Sequence, residues 1–510
     1  MTKLPPIAPL RVRRRRRVRK RTILLGIVAV LAVAFVGGYI YLSTSASQMV
    51  RLAKEEADRL DPGWTLGELE ARREAIPDAE NSAWQVDRVV ALLSGGWPPS
   101  PRIASATPPG FTHGTSILGR LIEVAPEVRL GVPLTVEVRA ELSKVGPAVI
   151  EARKLADMPR GRFPVEHAPN PNMPLLPQAQ AVRNVGRLLW ADAYLRAEDG
   201  DVDGALESCR AIVNAARSLD DDPIGIVHLV RIAVVGVAAR TIERVLAQGE
   251  ASEEALAKVQ ALLAEEAKYS PALASMRGER AGTNDLLEKL TSGELDINAL
   301  NGMMGTKIPP RLPLTTTFYQ YNHALLLQNF NRAVEIAKRP DPEQLALWKA
   351  WDESSPPPDR LLMKLIESLN QVLLPGMRGI GEAHLYHHGT IASTLAMVAV
   401  ERHRMAHGAP PGSFAEIDPK FAGGLIGDPF VGGPVKFKAG PGSIVLYTVG
   451  ADAKDDGGKL ATNHRRISRT DWGATWRQPR ERRKPAKDEL PKNVFQTPGR
   501  NDHDEADSIP

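Results

Sequence analysis

The feature that most constrains this chain is an apolar segment near its start. Residues 23–42 are twenty consecutive uncharged and mostly apolar residues. In an α-helix, which rises about 1.5 Å per residue, such a segment spans about 30 Å, the thickness of the hydrocarbon core of a bilayer. A helix also satisfies its backbone hydrogen bonds internally, as a membrane span requires. The sequence therefore predicts a transmembrane helix over 23–42.

A basic cluster directly before this segment predicts its orientation. Nine of the eleven residues in 11–21 are Arg or Lys. Basic residues beside a span stay on the cytoplasmic side, so residues 1–22 are predicted to form a cytoplasmic arm and the residues after Ser43 to lie outside. The cluster also suits contact with anionic lipid, and no nucleic-acid partner is predicted.

A cleavable signal peptide is the alternative interpretation of the same segment. The small residues Thr44, Ser45 and Ala46 offer a site for a signal peptidase. The apolar part of a signal peptide usually has about 7 to 15 residues. The longer apolar segment of this chain favours a helix that is retained as an anchor.

Charge and cysteine content describe the part of the chain beyond the anchor. The whole chain has a net charge of +5, and residues 1–42 contain ten basic residues and no acidic one; subtracting those ten charges leaves −5 for residues 43–510. A single cysteine, Cys209, excludes an intramolecular disulfide. Because its neighbours are apolar, Cys209 is predicted to be a core residue.

Clusters of proline and glycine divide the chain into segments. Pro126, Pro133 and Pro147 are predicted to divide the helical stretch 115–158, and residues 340–358 are predicted to be mainly a linker. The fold class is predicted to be mainly α. The predicted domains are a basic cytoplasmic arm (1–22), the transmembrane helix (23–42), a juxtamembrane helical and proline-rich region (43–177), an α-helical domain (178–375), a small α+β module (376–460) and a disordered tail (461–510).

The helical domain begins with a strong helical pattern. Apolar residues recur at helical spacing through 178–267, with a break at Gly200, which predicts an antiparallel helical hairpin followed by further helices. Trp190, Tyr194 and Ala205 fall roughly as in tetratricopeptide-like repeats, although no 34-residue period follows. The prediction is an α-helical array that is weakly tetratricopeptide-like.

One helix of this array is apolar enough to resemble a second membrane span. Residues 224–246 are rich in Val and Ile, but His228 and Arg231 lie inside the segment. A charged side chain at the centre of a lipid-exposed helix costs several kcal/mol. The segment is therefore predicted to be a buried helix of the soluble body.

The segment 391–458 predicts an α+β module. Its apolar helical stripe ends at His407 and Gly408, and glycine suits the position after a helix. Residues 435–438 and 444–449 flank a Gly-Pro-Gly turn and predict a β-hairpin. An acidic, glycine-rich loop follows the second strand.

This order of elements resembles the globular part of the major pseudopilins of type II secretion systems. The residues that carry the resemblance are Arg402, His407, Gly408, Asp428, Pro429, Phe430, Gly433, Pro434 and the run from Tyr447 to Asp452 that leads into Asp455, Asp456, Gly457 and Gly458. In that family the last loop binds calcium. The resemblance therefore implies calcium as a cofactor and Asp452, Asp455 and Asp456 as its ligands, and carboxylates are ligands that calcium prefers. A solvated turn without metal is the alternative.

The chain departs from a pseudopilin at its hydrophobic helix. Pseudopilins carry a cleavage and methylation motif directly before an assembly helix that continues into the globular helix. Here the apolar segment lies some 350 residues before Ile391 and lacks that motif. Polymerisation into a pilus is therefore not predicted, and the module is expected to serve packing or contact.

The whole chain also resembles a family of uncharacterised bacterial membrane-anchored proteins. They share an N-terminal anchor, an Asp-Pro-Gly-Trp sequence like Asp61 to Trp64, a helical middle and the same ending. The resemblance implies a location in the cell inner membrane with the bulk of the chain periplasmic, and it implies no activity. The lipid bilayer and other envelope or secretion-related proteins are the expected partners.

The strongest catalytic candidates are histidines. Spacings of three and four residues place side chains on one face of a helix, where imidazoles can bind zinc. Solvated or capping histidines are the alternative interpretation, and no HExxH, G-x-S-x-G or Walker A sequence is present. The candidate group consists of His384, His387, His388, His403 and His407, with Glu382 nearby.

Two functions remain open from the sequence. The favoured one is a single-pass, membrane-anchored envelope protein that acts as a binding or scaffolding module, without assigned catalytic residues. The alternative is a metal-dependent envelope hydrolase that uses the five-histidine group.

Overall fold

The computed structural model of the chain describes residues 13–93, 97, 116–164, 176–295, 313–354, 376–460 and 470–486. Within these ranges the chain is mainly helical with one three-stranded sheet, which confirms the fold class in outline. Most of the predicted loops and of the predicted tail lie outside the described residues. The helices, in chain order, are α1 (Arg13–Leu60), α2 (Leu66–Ala71), α3 (Ser82–Leu92), α4 (Ile117–Glu123), α5 (Val132–Lys144), α6 (Gly146–Arg153), α7 (Pro177–Glu198), α8 (Val202–Arg217), α9 (Gly225–Gln248), α10 (Glu253–Glu266), α11 (Pro271–Ser292), α12 (Pro313–Ala337), α13 (Asp341–Ser354) and α14 (Met377–His407).

The predicted membrane segment belongs to one long helix. Helix α1 is long and apolar enough to cross a membrane, and its large apolar side chains between residues 23 and 42 are exposed. Further along α1, Ala53 and Ala57 are buried and pack with Leu327 of α12. The helix continues from the apolar segment into the body because no proline or glycine interrupts residues 43–60.

The end of α1 is tied to the body by charge. Asp61 is 8% exposed, and its carboxylate accepts hydrogen bonds from Arg277 Nε at 2.9 Å and Arg280 at 2.5 Å. Burial acts to raise the pKa of Asp61, but the two guanidinium groups outweigh it and hold the pKa below its ordinary value. Arg280 also lies over the buried ring of Trp64, 5.2 Å from its centroid. The Asp-Pro-Gly-Trp sequence thus ends α1 and fixes it to α11.

The predicted helical hairpin is confirmed. Helices α7 and α8 pack together, and Gly200 adopts a positive φ of 86° in the turn between them. Helix α9 is mostly buried in the body, with Arg231 and Arg244 at 0% and 1% exposure, as predicted for a helix that is not lipid-exposed. The likeness to tetratricopeptide repeats stays a prediction.

The three prolines divide the preceding stretch as predicted. Helix α4 ends before Pro126, and Pro133 and Pro147 lie in the first turns of α5 and α6, where a missing N–H costs no helical hydrogen bond. Cys209 is fully buried in α8, and burial raises the pKa of its thiol. Its predicted place in the core is confirmed.

The C-terminal hairpin is also confirmed. Strands β1 (Lys436–Gly440) and β2 (Ser443–Thr448) pair antiparallel, with Phe437 opposite Leu446. The sheet packs on α14. Side chains of the array helices, of α14 and of the sheet form one hydrophobic core, so the predicted boundary near residue 376 does not separate two cores.

The predicted disordered tail contains a strand. Residues Trp472–Arg477 form β3, which pairs antiparallel with β2 and gives the order β1-β2-β3. Trp476 is 1% exposed, and its Nε1 donates to Glu401 of α14 at 2.6 Å. The prediction was wrong here because two core-facing residues, Ala474 and Trp476, alternate with polar ones inside a basic segment. Such an alternation is the pattern of a half-buried strand.

The predicted linker at 340–358 is also corrected. Helix α13 occupies Asp341–Ser354, and Trp348 is fully buried. Gly381 of α14 allows a close approach, because a Cβ at this position would lie 2.3 Å from Trp348 Nε1. Proline at the second position of α13 starts a helix rather than breaking one, since the first turn has no helical partner for its N–H.

Glu401 offers a direct test of how the C-terminal strand is held. Its fully buried carboxylate accepts hydrogen bonds from Trp476, Arg482 and Arg404. Glu401→Ala leaves a buried guanidinium unpaired, so we expect the free energy of unfolding to fall by about 3 to 5 kcal/mol. Urea unfolding measures the change.

Glu254→Ala is the matched control for this variant. Glu254 pairs with Lys258 on the surface of α10, and removal of an exposed pair is expected to change stability by about 1 kcal/mol or less. Equal effects of the two substitutions would contradict the role given to Glu401.

Candidate functional site

Three of the five candidate histidines are buried together on α14. His384, His387 and His388 are 0%, 2% and 7% exposed. The interpretation as solvated or capping side chains is therefore wrong for these three. The apolar stripe read from the sequence began at Ile391, but α14 starts at Met377 and is packed against α10, α11 and α13. Side chains on most sides of α14 are therefore buried against another helix or the sheet.

Asp341 joins two of these histidines. It is the first residue of α13, and its Oδ1 lies 3.0 Å from His384 Nε2 while its Oδ2 lies 2.5 Å from His388 Nδ1. The two imidazole rings, four residues apart on α14, have centroids 4.3 Å from each other. The carboxylate thus bridges α13 and α14.

The hydrogen bonds of His388 define its protonation. Its Nε2 lies 2.9 Å from the carbonyl oxygen of Tyr269, which only accepts, so this nitrogen carries a proton. Its Nδ1 faces a carboxylate oxygen of Asp341, which also only accepts. A positive centre must therefore lie between them: either a second proton or a cation.

Protonation supplies that positive centre in the metal-free protein. Burial acts to lower the pKa of His388, but Asp341 outweighs it and raises the pKa. Burial lowers the pKa of His384 to about 4, and the neighbouring His388 acts in the same direction. His384 is thus neutral, and its Nδ1 has no hydrogen-bond partner among the described residues.

A second polar cluster lies directly beside this one. Arg231 and Glu266 are both fully buried and form a bidentate ion pair, with N–O distances of 2.6 and 3.0 Å. Asp220 accepts from Arg231 Nε at 2.5 Å. His387 Nε2 lies 3.3 Å from Glu266, outside hydrogen-bond geometry.

Tyr269 connects the two clusters. Its ring lies under the guanidinium of Arg231, with 3.7 Å between the guanidinium carbon and the ring centroid, and its carbonyl oxygen accepts from His388. The Tyr269 hydroxyl lies 2.8 Å from His228 Nδ1 and 2.9 Å from the carbonyl oxygen of Asp220, while His228 Nε2 lies 2.8 Å from the carbonyl oxygen of Asp222. Sequence reasoning missed Asp341, Glu266 and Tyr269, which local spacing does not relate to the histidines of α14.

The other two candidate histidines lie elsewhere. His403 is fifteen residues beyond His388 on the same helix, about 22 Å along its axis. His407 Nε2 lies 3.0 Å from Asp418 Oδ2, and the Asp418 N–H donates to His403 Nδ1. The five histidines therefore do not form one site. Glu382 accepts a hydrogen bond from Arg378 Nε of the same helix at 2.8 Å and does not join either pair.

The three aspartates implied as calcium ligands lie on the exposed loop after β2. Asp455 Oδ1 accepts from the Tyr447 hydroxyl at 3.0 Å and from the Gly457 N–H at 2.9 Å. Among the described residues, Asp452, Asp455 and Asp456 do not form a group of converging ligand atoms. Calcium binding by this loop stays a prediction.

The Asp-Pro-Phe motif has a structural role. Asp428 is 1% exposed and accepts hydrogen bonds from the N–H groups of Phe430 at 2.9 Å and of Val449 at 3.0 Å. It thereby holds the loop before the hairpin to the end of β2.

The chain matches no protein-family model, no curated protein and no solved structure. The resemblances to pseudopilins and to the membrane-anchored family therefore stay predictions. Function is argued below from the residues of this chain.

His228 makes the stability of this region depend on pH. Burial and, next, Arg231 lower the pKa of His228 to about 4, from 6.5. The unfolded chain takes up a proton near pH 6.5 and the folded one does not. The contribution of His228 to stability is therefore complete above pH 6.5 and is lost as the pH falls towards 4.

We expect His228→Asn to remove part of the pH dependence of unfolding. For one such group, a change from pH 7 to pH 5 lowers the free energy of unfolding by about 2 kcal/mol. Urea unfolding at both pH values measures the difference for wild type and variant. Identical pH dependence in the two proteins would contradict the assignment.

Proposed function

We propose that the chain is a single-pass, membrane-anchored envelope protein whose helical body lies outside the cytoplasm and acts as a binding or scaffolding module. The observation that carries the proposal is the division of α1. Its segment 23–42 exposes a continuous apolar surface, whereas its last turns pack against the body along one face, through Ala53 and Ala57. An exposed apolar surface of this length is stable in a bilayer and unfavourable in water.

Retention of the anchor is supported by the packing after the apolar segment. Ala46, which is 3% exposed, belongs to the small residues that a signal peptidase would need to reach. Ser47 donates to Gln320 of α12 at 3.1 Å. Residues 43–60 are helical throughout and hold α1 to the body, so cleavage there would require this part of α1 to unwind.

The basic cluster supports the orientation. Arg and Lys beside a span remain on the cytoplasmic side, which places the body on the opposite side of the membrane. The resemblance to bacterial envelope proteins favours an envelope location, and we propose the inner membrane. It also favours other envelope or secretion-related proteins as partners.

Exposed apolar side chains on the body support a binding role. Val132 and Val136 of α5 are 77% and 61% exposed, and Ile150 of α6 is 62% exposed. Helices α5 and α6 contact each other. Exposed apolar side chains mark a protein contact surface when they form one patch, and we propose that these three do. We assign this face, the α5–α6 face, to partner binding.

Reporter fusions test the anchor and its orientation. A phosphatase that folds only outside the cytoplasm should be active when fused after residue 486, and an N-terminal epitope tag should remain on the mature chain. The protein should also stay in the membrane fraction after an alkaline wash.

Replacing the basic residues of 11–21 by neutral ones is the control, because it removes the charge that sets orientation. We expect phosphatase activity to fall. An inactive wild-type fusion, or loss of the N-terminal tag during maturation, would contradict the proposal.

Photo-cross-linking tests the α5–α6 face. A photoreactive residue at position 136 or 150 should give discrete adducts in the membrane of living cells, and one at the exposed position 254 should not. Val132→Glu should abolish the adducts while changing the free energy of unfolding by about 0.5 kcal/mol or less, as is usual for a surface substitution. Equal adducts at position 254 would contradict a specific face.

A further inference from the structure

We propose that Asp341, His384 and His388 bind one divalent first-row transition-metal ion, with Zn²⁺ as the ion that fits best. The site goes beyond the scaffolding function, since anchoring and partner binding do not require a metal. It also differs from the five-histidine group and from the acidic loop considered from the sequence.

Convergence of ligand atoms is the first observation. One ligand atom from each residue lies within 4.8 Å of the other two. Among the described residues, this is the one group of three converging metal-ligand side chains. Two ligands of tetrahedral zinc, each about 2.0 to 2.2 Å from the ion, lie about 3.3 Å apart. The present contacts from Asp341 are 3.0 and 2.5 Å, so a small outward movement of its carboxylate admits the ion.

The second observation is the hydrogen bond of His388 Nε2, the ring nitrogen that does not face Asp341. A histidine that binds a metal usually donates its other N–H to a carbonyl or carboxylate, which orients the ring. His388 donates Nε2–H to the Tyr269 carbonyl and thereby presents Nδ1 to Asp341. Tyr269 is itself held by the ring contact with Arg231.

The unbalanced polar atoms form the third observation. His388 Nδ1 and Asp341 Oδ2 face each other, and because His388 Nε2 already carries a proton, a second proton or a cation must lie between them. His384 is fully buried and presents Nε2 to the same carboxylate, 3.0 Å from Asp341 Oδ1. A metal ion replaces the proton on His388 Nδ1 and coordinates both rings in their neutral form.

The donor set and its surroundings identify the class of ion. Two imidazole nitrogens and one carboxylate oxygen suit zinc and related first-row ions, whereas calcium and magnesium prefer oxygen ligands throughout. The Asp341 side chain is 25% exposed, which gives the ion a path from solvent, and water would complete its coordination. The bound ion would join α13 to α14.

Zinc titration of the full-length protein tests the site. The protein is purified in detergent with a tag that lacks histidine, treated with a chelator and titrated with Zn²⁺ by calorimetry. We expect one ion per chain with a Kd below about 1 μM and a rise in Tm on binding, because the ion binds the native state. Failure of the wild-type protein to bind zinc would overturn the proposal.

Matched histidine variants locate the ion. Asp341→Asn, which keeps the shape of the side chain, and His388→Gln should each weaken zinc binding at least about 100-fold. His407→Gln is the control, because His407 also has a histidine four residues away and an aspartate partner. Loss of binding in H407Q, or wild-type affinity in D341N and H388Q, would overturn the proposal.

Histidine NMR of the wild-type protein gives a second test that needs no destabilised variant. Zinc should shift the ring signals of two buried histidines and leave those of His403 and His407 in place. Shifts confined to the latter pair would overturn the proposal.

Discussion

The buried ion pair between Arg231 and Glu266 is the interaction on which the arrangement of the helical body depends. Moving both charges out of water is costly, and the cost is offset only when each hydrogen-bonding atom finds a partner. Asp220 and the face of the Tyr269 ring supply further partners for Arg231. Because the carbonyl oxygen of Tyr269 also accepts a hydrogen bond from His388 Nε2, one connected polar network fixes α9, α10 and α14 against one another. Such networks specify a unique packing when they are satisfied.

The second constraint is the continuity of α1. A single helix leaves the apolar segment and enters the body, where Ala53 and Ala57 permit close contact with α12. Asp61 then binds two arginines of α11 directly after the last turn. The direction of the apolar segment relative to the body is therefore set by one continuous helix, with no proline or glycine between residues 43 and 60. In the proposed scaffolding function, this continuity would hold the α5–α6 face at a defined distance from the membrane.

Much of the fold was predictable, because it follows from local patterns. The apolar periodicity of 178–267 located the helical hairpin, and the three prolines located the divisions between α4, α5 and α6. The Gly-Pro-Gly turn located the β-hairpin. The candidate site was not predictable in full. His384 and His388 meet Asp341 across more than forty residues of chain, and no local spacing records that contact. The strand at Trp472–Arg477 was missed because the basic composition of its surroundings outweighed a short alternating pattern.

Hydrogen–deuterium exchange of the full chain in lipid bilayer discs tests whether the apolar segment of α1 and the helical body form one rigid unit. Exchange reports local opening along the backbone. If α1 continues into the core, the amides of residues 46–60 exchange as slowly as those of α14. The amides of residues 23–42 are equally slow, so that protection is unbroken from residue 23 to residue 60. Fast exchange of residues 46–60 between two protected regions would show a flexible linker and contradict a single rigid unit.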